Sequence, residues 1–399
     1  MADGKQILIF GAGRIGRSFI GQLFSSAGYR VVFVDIDRQL VERLNSRKVF
    51  PVILRDSSHP GAQKILEVNF LSALHASEEE KIIRHIEEAD ILATAVGKNG
   101  LSGLTGILGR GIQSRYTRHP ARPLDIILAE NVRNAGAFLA SALQSAAKAV
   151  PVRDYVGLVE TSIGKMVPIM TREQLEEDPL AVYAEPYNTL ILDARAFKNP
   201  VPEVPGLSPK DNMKAWVDRK LFLHNLGHAT LAYQANHCHP ELVYTWEALE
   251  INQLHDKTRK TMLQSGAILR KMYPDEFDEG QLEAHTDDLL MRFANRALGD
   301  TIYRVGCDLK RKLGRDDRLM VPILAAISLA MPFDLILEAW IRGCGFRAVG
   351  ENGFELEVDR QFRKEYGLDY RRILSEHCGL GPADHPELYQ AVTQITATL

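Results

Sequence analysis

The chain has 399 residues, 45% of them hydrophobic and 25% charged, with 48 Lys and Arg against 51 Asp and Glu and a formal net charge of -3. Such ordinary globular composition excludes a disordered chain, a collagen-like repeat and a polybasic nucleic-acid binder. The length predicts two or three domains, each large enough to bury a core.

Gln6–Phe10 (QILIF) is a continuous apolar run, the pattern of a parallel strand covered on both faces. A glycine-rich turn and a helical segment to about Ala27 follow, then a second buried run, Arg30–Asp35 (RVVFVD). Together they read as the start of a βαβ unit. Ile91–Val96 and Leu124–Ala129 repeat the strand pattern, and Tyr155–Glu160 repeats it more weakly. Strands alternating with helices over the first ~200 residues predict a doubly wound α/β domain. Four prolines (Pro200, Pro202, Pro205, Pro209) then mark a domain connection. Ser208 and Pro209 read as the cap and first turn of a helix. Beyond them, apolar residues recur at helical spacing in Trp216–Tyr233, Thr261–Met272, Leu282–Leu298 and Leu335–Ile341. We expect an α/β domain over residues 1–205 and a mainly α-helical domain over 206–399.

The four cysteines lie far apart with no CxxC pair, so neither a disulfide framework nor a zinc ribbon is indicated. His237-Cys238-His239 is too contiguous to converge on one tetrahedral site, and no metal is expected. The first residues lack a signal-peptide layout. The most apolar stretch, Leu319–Phe333, is shorter than the ~20 residues of a membrane span and reads as a buried helix. A cytoplasmic protein is expected, a monomer or weak homo-oligomer, with neither membrane nor nucleic acid as partner.

Gly11-Ala12-Gly13-Arg14-Ile15-Gly16 is a GxGxxG between a strand and a helix, the context a dinucleotide site requires. Its glycines suit a tight turn, close approach to a pyrophosphate and close helix packing, and Arg14 and Ile15 open the helix toward it. Asp35 ends the second strand, where a carboxylate accepts from ribose hydroxyls and repels a 2′-phosphate, so NAD is expected over NADP. Ala95, Val96 and Gly97 follow another buried strand, either lining the same crevice or forming an ordinary turn. The helix after Ser208 carries Lys220, His224, Asn225 and His228 at about 0°, 40°, 140° and 80° around its axis, one polar arc able to face a cleft or simply solvent. Asn131 follows the strand at 124–129, either a donor to substrate or a loop cap. Arg304–Arg318 holds six basic residues in fifteen, either an anion site or a solvated surface.

Together these segments resemble the polyol-specific long-chain dehydrogenases, the mannitol dehydrogenase family, on its mannitol-1-phosphate 5-dehydrogenase branch. The resemblance rests on FGAGRIGRSFIG at the N-terminus, AENVRN at 129–134, DNMKAWVDRKLFLHNLGHA at 211–229 and RVGCDLKRKLGRDDRL at 304–319. Lys220, Asn225 and His228 meet the family's Lys-x4-Asn-x2-His signature. The resemblance implies a Rossmann domain and a helical domain, and a metal-independent reaction on a small sugar or polyol phosphate. In it Lys220 is the general base, Asn131 and Asn225 donate to the reacting oxygen, and His228 orients the substrate. The implied reaction interconverts D-mannitol 1-phosphate and D-fructose 6-phosphate with NAD. The same family also implies, as alternatives, a polyol 2-dehydrogenase or a fructuronate or tagaturonate reductase. A sensor that binds NAD without turnover is a further alternative. Arg304 and Arg311 are the expected phosphate contacts, with Lys310 and Lys312 beside Arg311. Lys165, after Gly164, stands where many relatives carry Asp-Arg, and is an expected substrate contact. Cys307 stands where a basic residue is common.

Overall fold

The computed structural model describes residues 4–57, 64–130, 135–168 and 170–398. The chain divides into two compact units, Met1–Trp216 and Val217–Leu399.

The first unit contains β1 (Gln6–Phe10), β2 (Arg30–Asp35), β3 (Phe50–Leu54), β4 (Lys64–Val68), β5 (Leu71–His75), β6 (Ile91–Thr94), β7 (Leu124–Leu128), β8 (Val156–Ser162), β9 (Val182–Ala184), β10 (Leu190–Asp193) and β11 (Leu207–Lys210). Eight of them form one sheet in the order β11-β10-β8-β7-β6-β1-β2-β5. Neighbours run parallel except β8 and β10. The expected doubly wound architecture is therefore present. Its apolar strands alternate between two cores. Ile7, Ile9, Val31 and Phe33 pack on one face of the sheet, and Leu8, Phe10, Val32 and Val34 on the other. Such two-sided burial explains why these strands read as continuous apolar runs rather than as alternation. β1 pairs with β2 on one side and β6 on the other. The strand order reverses there, which is where an open α/β sheet forms its ligand crevice.

A second sheet joins β3 to β4 antiparallel and to β9 parallel. None of its strands was expected. They are short, β3 carries Pro51 and β9 has only three residues, and pairing within the unit makes them strands. Ser208 and Pro209 do not begin a helix either: they lie in β11, paired with Ile191 and Leu192 of β10. Proline is tolerated because β11 is an edge strand. The expected division at residue 205 precedes this last strand, and the first unit runs on to Trp216. The helix begins at Met213, where the Asn212 side chain accepts from the Ala215 N–H at 3.4 Å.

The second unit is helical throughout its described residues apart from one bridge between Tyr244 and Thr301. Met213–Arg219 continues through a π turn, Lys220–Asn225, into Leu226–Cys238. Every residue from Leu226 to Ala235 is buried. A helix buried on all sides is the centre of its bundle, and helices Asn252–Met272, Ile302–Gly306 and Asp334–Cys344 pack around it. Tyr233 anchors it by donating to the Gly306 carbonyl at 3.2 Å. Leu319–Phe333 contains the helix Met320–Ser328, with Met320, Ile323 and Ala326 buried. Among the described residues no helix is long and apolar enough to cross a membrane.

Candidate active site

The glycine turn leaves β1 through Gly11, whose φ of +100° is strained for any side chain, and a Cβ there would meet the Ala95 carbonyl oxygen at 2.4 Å. A Cβ on Gly16 would lie 1.9 Å from the Gly11 oxygen. Gly13 is different: it is exposed, and nothing lies within 4 Å of where its Cβ would be. Two of the three glycines therefore permit packing, and the third leaves an open face. Arg14 is exposed, its guanidinium 3.4 Å from the Val167 carbonyl, and Ile15 packs against the core. Ala95–Gly97 is brought against this turn, with the Ala95 N–H donating to the Phe10 carbonyl at 2.7 Å.

Asp35 ties the end of β2 to the same turn. Its Oδ2 accepts from the Ala12 N–H at 2.7 Å and its Oδ1 from the Asp37 N–H at 2.9 Å. A carboxylate has lone pairs left for ribose hydroxyls after these two bonds. The open face over Gly13, the helix N-terminus beside it and the acid at the strand end fit a dinucleotide with a free 2′-hydroxyl. Two residues not foreseen brace the site. Arg17 is buried and donates to the Ala12 carbonyl at 2.7 Å and the Leu180 carbonyl at 2.6 Å. Burial lowers its pKa to about 10, against the attraction of Asp35 and Asp178. Glu130, also buried, accepts from the Val96 N–H at 2.9 Å. Asn131 lies outside the described residues.

Lys220, His224, Asn225 and His228 share one helix, but its geometry is not that of a uniform α-helix. Lys220–Asn225 is a π turn, closed by the Leu226 N–H bonding to the Leu221 carbonyl five residues back. In i→i+5 geometry the residue five positions on stands one turn above the first. Asn225 is thus swung toward Lys220, from which α-helical spacing alone would set it about 140° away. Burial, helped by the positive charge of Arg318, lowers the half-buried Lys220 ammonium to about 8.

His224 and His228 are buried and meet edge to face at 5.1 Å between ring centroids. Phe293 stacks on His228 at 3.7 Å. Burial pushes both imidazoles well below their usual range. Around His228 the positive charges of Arg304, Arg318, Arg292 and Lys312 push the same way. His228 is therefore neutral at physiological pH, and its Nε2 is buried without a hydrogen-bond partner among the described residues.

The basic segment is held by its own acids. Arg304 pairs with Asp300. Arg311 bonds Asp308 at 2.6 Å and Asp317 at 2.9 Å. Lys312 is buried, donates to the Val305 carbonyl at 2.7 Å, and is lowered to about 8 by burial and by Arg318. In the first unit Lys165 is only 5% exposed. It donates to the Asn188 side chain at 2.8 Å and lies 5.1 Å over the Phe19 ring. His237 contacts Arg342, and His239 lies 3.2 Å from Glu241. Among the described residues no three His, Cys, Asp or Glu side chains are grouped as metal ligands.

Two family models cover most of the sequence: the mannitol dehydrogenase Rossmann domain over residues 5–206 and the mannitol dehydrogenase C-terminal domain over residues 212–372. The chain belongs to the mannitol dehydrogenase family. It is an oxidoreductase of that family, with the family's Rossmann and helical domains. Among solved structures it is similar to Pseudomonas fluorescens mannitol 2-dehydrogenase, solved as a ternary complex with NAD and D-mannitol. That match has 17% identity and a TM-score of 0.73, covering 100% of this chain and 92% of that one. A D-sorbitol dehydrogenase in substrate-free form matches at 16% identity and a TM-score of 0.76, covering 98% and 94%. At these identities the likeness is one of fold.

Arg318, Arg292 and Phe293 were not singled out from the sequence as site residues. Arg318 lay within a basic run that looked alike from end to end, and Phe293 within an ordinary amphipathic helix. Only packing separates them from their neighbours.

Proposed function

We propose that this protein is an NAD-dependent, metal-independent dehydrogenase that interconverts D-mannitol 1-phosphate and D-fructose 6-phosphate, with Lys220 as general base. The observation that carries this reading is the lysine lowered to about 8 on the same turn of helix as Asn225 and two turns before a neutral histidine, His228. A base must be unprotonated to act, and an ordinary lysine near 10.4 would rarely be so at neutral pH.

The chemistry that bound NAD supplies is hydride acceptance from the carbinol carbon; everything else falls to the chain. Neutral Lys220 takes the hydroxyl proton. The Asn225 side chain donates to the oxygen as charge builds on it, with Asn131 proposed as its companion. Nε2 of His228 hydrogen-bonds the reacting oxygen or its neighbour, which would satisfy an otherwise orphaned buried atom. Gly13, Arg14, Ile15 and Gly16 receive the pyrophosphate, with Gly11 shaping the turn. Asp35 takes the ribose hydroxyls, and Ala95–Gly97 lines the crevice. A carboxylate at the strand end disfavours NADP.

The phosphate choice is supported by the four cations around His228. Lys312, whose ammonium form is disfavoured by burial and by Arg318, gains most from an incoming anion. Lys312, which donates to a backbone carbonyl, and Arg304, which pairs with the single carboxylate of Asp300, are thus better placed for a phosphate than Arg311, whose guanidinium bonds two carboxylates, or Lys165, held by Asn188. The same cations favour a hexuronate carboxylate over a neutral polyol, which keeps fructuronate and tagaturonate as the second reading. NADH oxidation with fructose 6-phosphate, fructose, fructuronate and tagaturonate, and NADPH as the cofactor control, tests the proposal. Rapid turnover with fructose 6-phosphate and NADH alone is expected. Turnover only with a hexuronate or a free ketose would replace the substrate named here.

A further inference from the structure

Asp317 lies between two arginines. Its Oδ2 accepts from Arg311 at 2.9 Å, and its Oδ1 accepts from Arg318 through Nε at 2.8 Å and through the backbone N–H at 2.7 Å. Arg311 is held in turn by Asp308. The far end of the Arg318 guanidinium reaches the backbone of the π turn, with Nη1 3.5 Å from the Asn225 carbonyl. The Arg318 side chain is only 11% exposed. A nearly buried arginine held on one side by a carboxylate and facing a helix carbonyl on the other has little freedom to leave.

We propose that Arg318 is a positioning residue for the reaction. Anchored on Asp317, it holds the Asn225 end of the π turn and stands as a permanent positive charge beside Lys220. This rests on the reading of Lys220 as the base. The carbonyl contact steadies the turn that places Asn225 over Lys220. The charge disfavours the ammonium form of Lys220, so the base is unprotonated nearer neutrality. Among the described residues, other charged or titratable groups around Lys220 include Asp218, Arg219 and His224 on its own helix and, facing His224 from the Glu279–Phe293 helix, His285 and Arg292. Both imidazoles are held neutral, His285 near a pKa of about 3. Asp317 opposes the effect of Arg318 on Lys220, but it is shared between Arg318 and Arg311, so the charge of Arg318 is only partly compensated.

The test is the pH profile of kcat/KM for polyol-phosphate oxidation in the wild type, Arg318→Met and Arg318→Lys, with cofactor affinity and melting temperature measured alongside. The wild type is expected to rise through an inflection near pH 8. In Arg318→Met the inflection moves up by about one pH unit. At pH 7 kcat/KM then falls by more than about tenfold: the tenfold part that comes from protonation of Lys220 is recovered by pH 10, and the part that comes from losing the fork remains at every pH. Arg318→Lys keeps the charge but loses the fork, so its inflection stays near 8 while kcat falls at every pH. An inflection near 8 in folded Arg318→Met overturns the inference and leaves Lys220 as base. Should Arg318→Met fail to fold, an inflection in Arg318→Lys displaced by a full unit overturns it. A wild-type profile with no inflection, or Lys220→Met retaining turnover, overturns the Lys220 reading and this inference with it.

Discussion

The helix behind the glycine turn and the helix that carries Lys220 each contain a π turn, Gly16–Gly21 in the first unit and Lys220–Asn225 in the second. The two turns are made of opposite materials. At the first, glycines at both ends let backbone and sheet approach: a Cβ on Gly21 would meet the Phe33 ring at 2.8 Å. At the second, the widened turn gathers a lysine, an amide and an imidazole, each buried or half-buried, near cations from other segments of the unit. The first turn is shaped by the absence of side chains. The second places ionisable side chains where their ordinary protonation states are unfavourable. A dinucleotide phosphate needs backbone N–H groups and room. Proton transfer needs a base matched to its working pH.

The comparison is broken most forcefully at Lys220. Lys220→Met removes the proposed proton acceptor and is expected to lower kcat by about 10²–10⁴-fold. NADH affinity should be unchanged, because no cofactor group of the first unit is touched. Steady-state kinetics and cofactor fluorescence titration read the two separately. Equal loss of both would mean that Lys220 supports the fold rather than the chemistry. In the wild type, oxidation should rise with pH and reach half its plateau near pH 8, since the neutral amine is the active form and its pKa is lowered to about 8.

A pair of glycine substitutions sharpens the other side. Gly13→Ala adds a methyl into open space. It should leave the melting temperature nearly unchanged and weaken NADH binding by about tenfold, because the methyl stands where the phosphates approach. Gly16→Ala drives a methyl to within 1.9 Å of a backbone oxygen. It should weaken binding and also destabilise the first unit by about 1–3 kcal/mol. If both variants lost the same stability and the same affinity, the division between packing glycines and an open-face glycine would fail.

These two regions were unequally legible in the sequence. The glycine turn is local: strand, turn, helix and terminal acid fall within residues 6–35, and each obeys a short-range rule. Helical spacing also gathered Lys220, Asn225 and His228. It set Asn225 about 140° from Lys220, however, because a π turn leaves no periodic signature in a single sequence. Arg318 and Phe293 reach the site from segments about 70 to 100 residues further along, a distance no periodicity spans. Among the basic residues of 304–318, sequence could not tell Lys312, buried against a carbonyl, from Arg311, exposed between two carboxylates. The second sheet escaped for a related reason, since β3, β4 and β9 are strands only through pairing with one another.

Lys165 gives the smallest and most discriminating effect, because it is a buried ionisable group placed on the glycine side of the comparison. Burial lowers its pKa to about 8, with Glu185 opposing. The unfolded lysine titrates near 10.4. Below pH 8 both states are protonated and the penalty for a buried ammonium is fully present. Between pH 8 and about 10.4 the unfolded chain binds more protons than the folded one, so this penalty fades as pH rises. Lys165→Met keeps the side-chain volume and removes the charge, at the loss of the bond to Asn188 and the contact over Phe19. A net gain of about 1 kcal/mol at pH 7 is expected, or about 2–4 °C in melting temperature. The gain should shrink toward pH 10. That pH-dependent stabilisation, with KM unchanged, would identify Lys165 as a buried structural lysine. A rise in KM with no change in melting temperature would instead make it a substrate contact, and the glycine side of the molecule would then contribute a charge of its own to recognition.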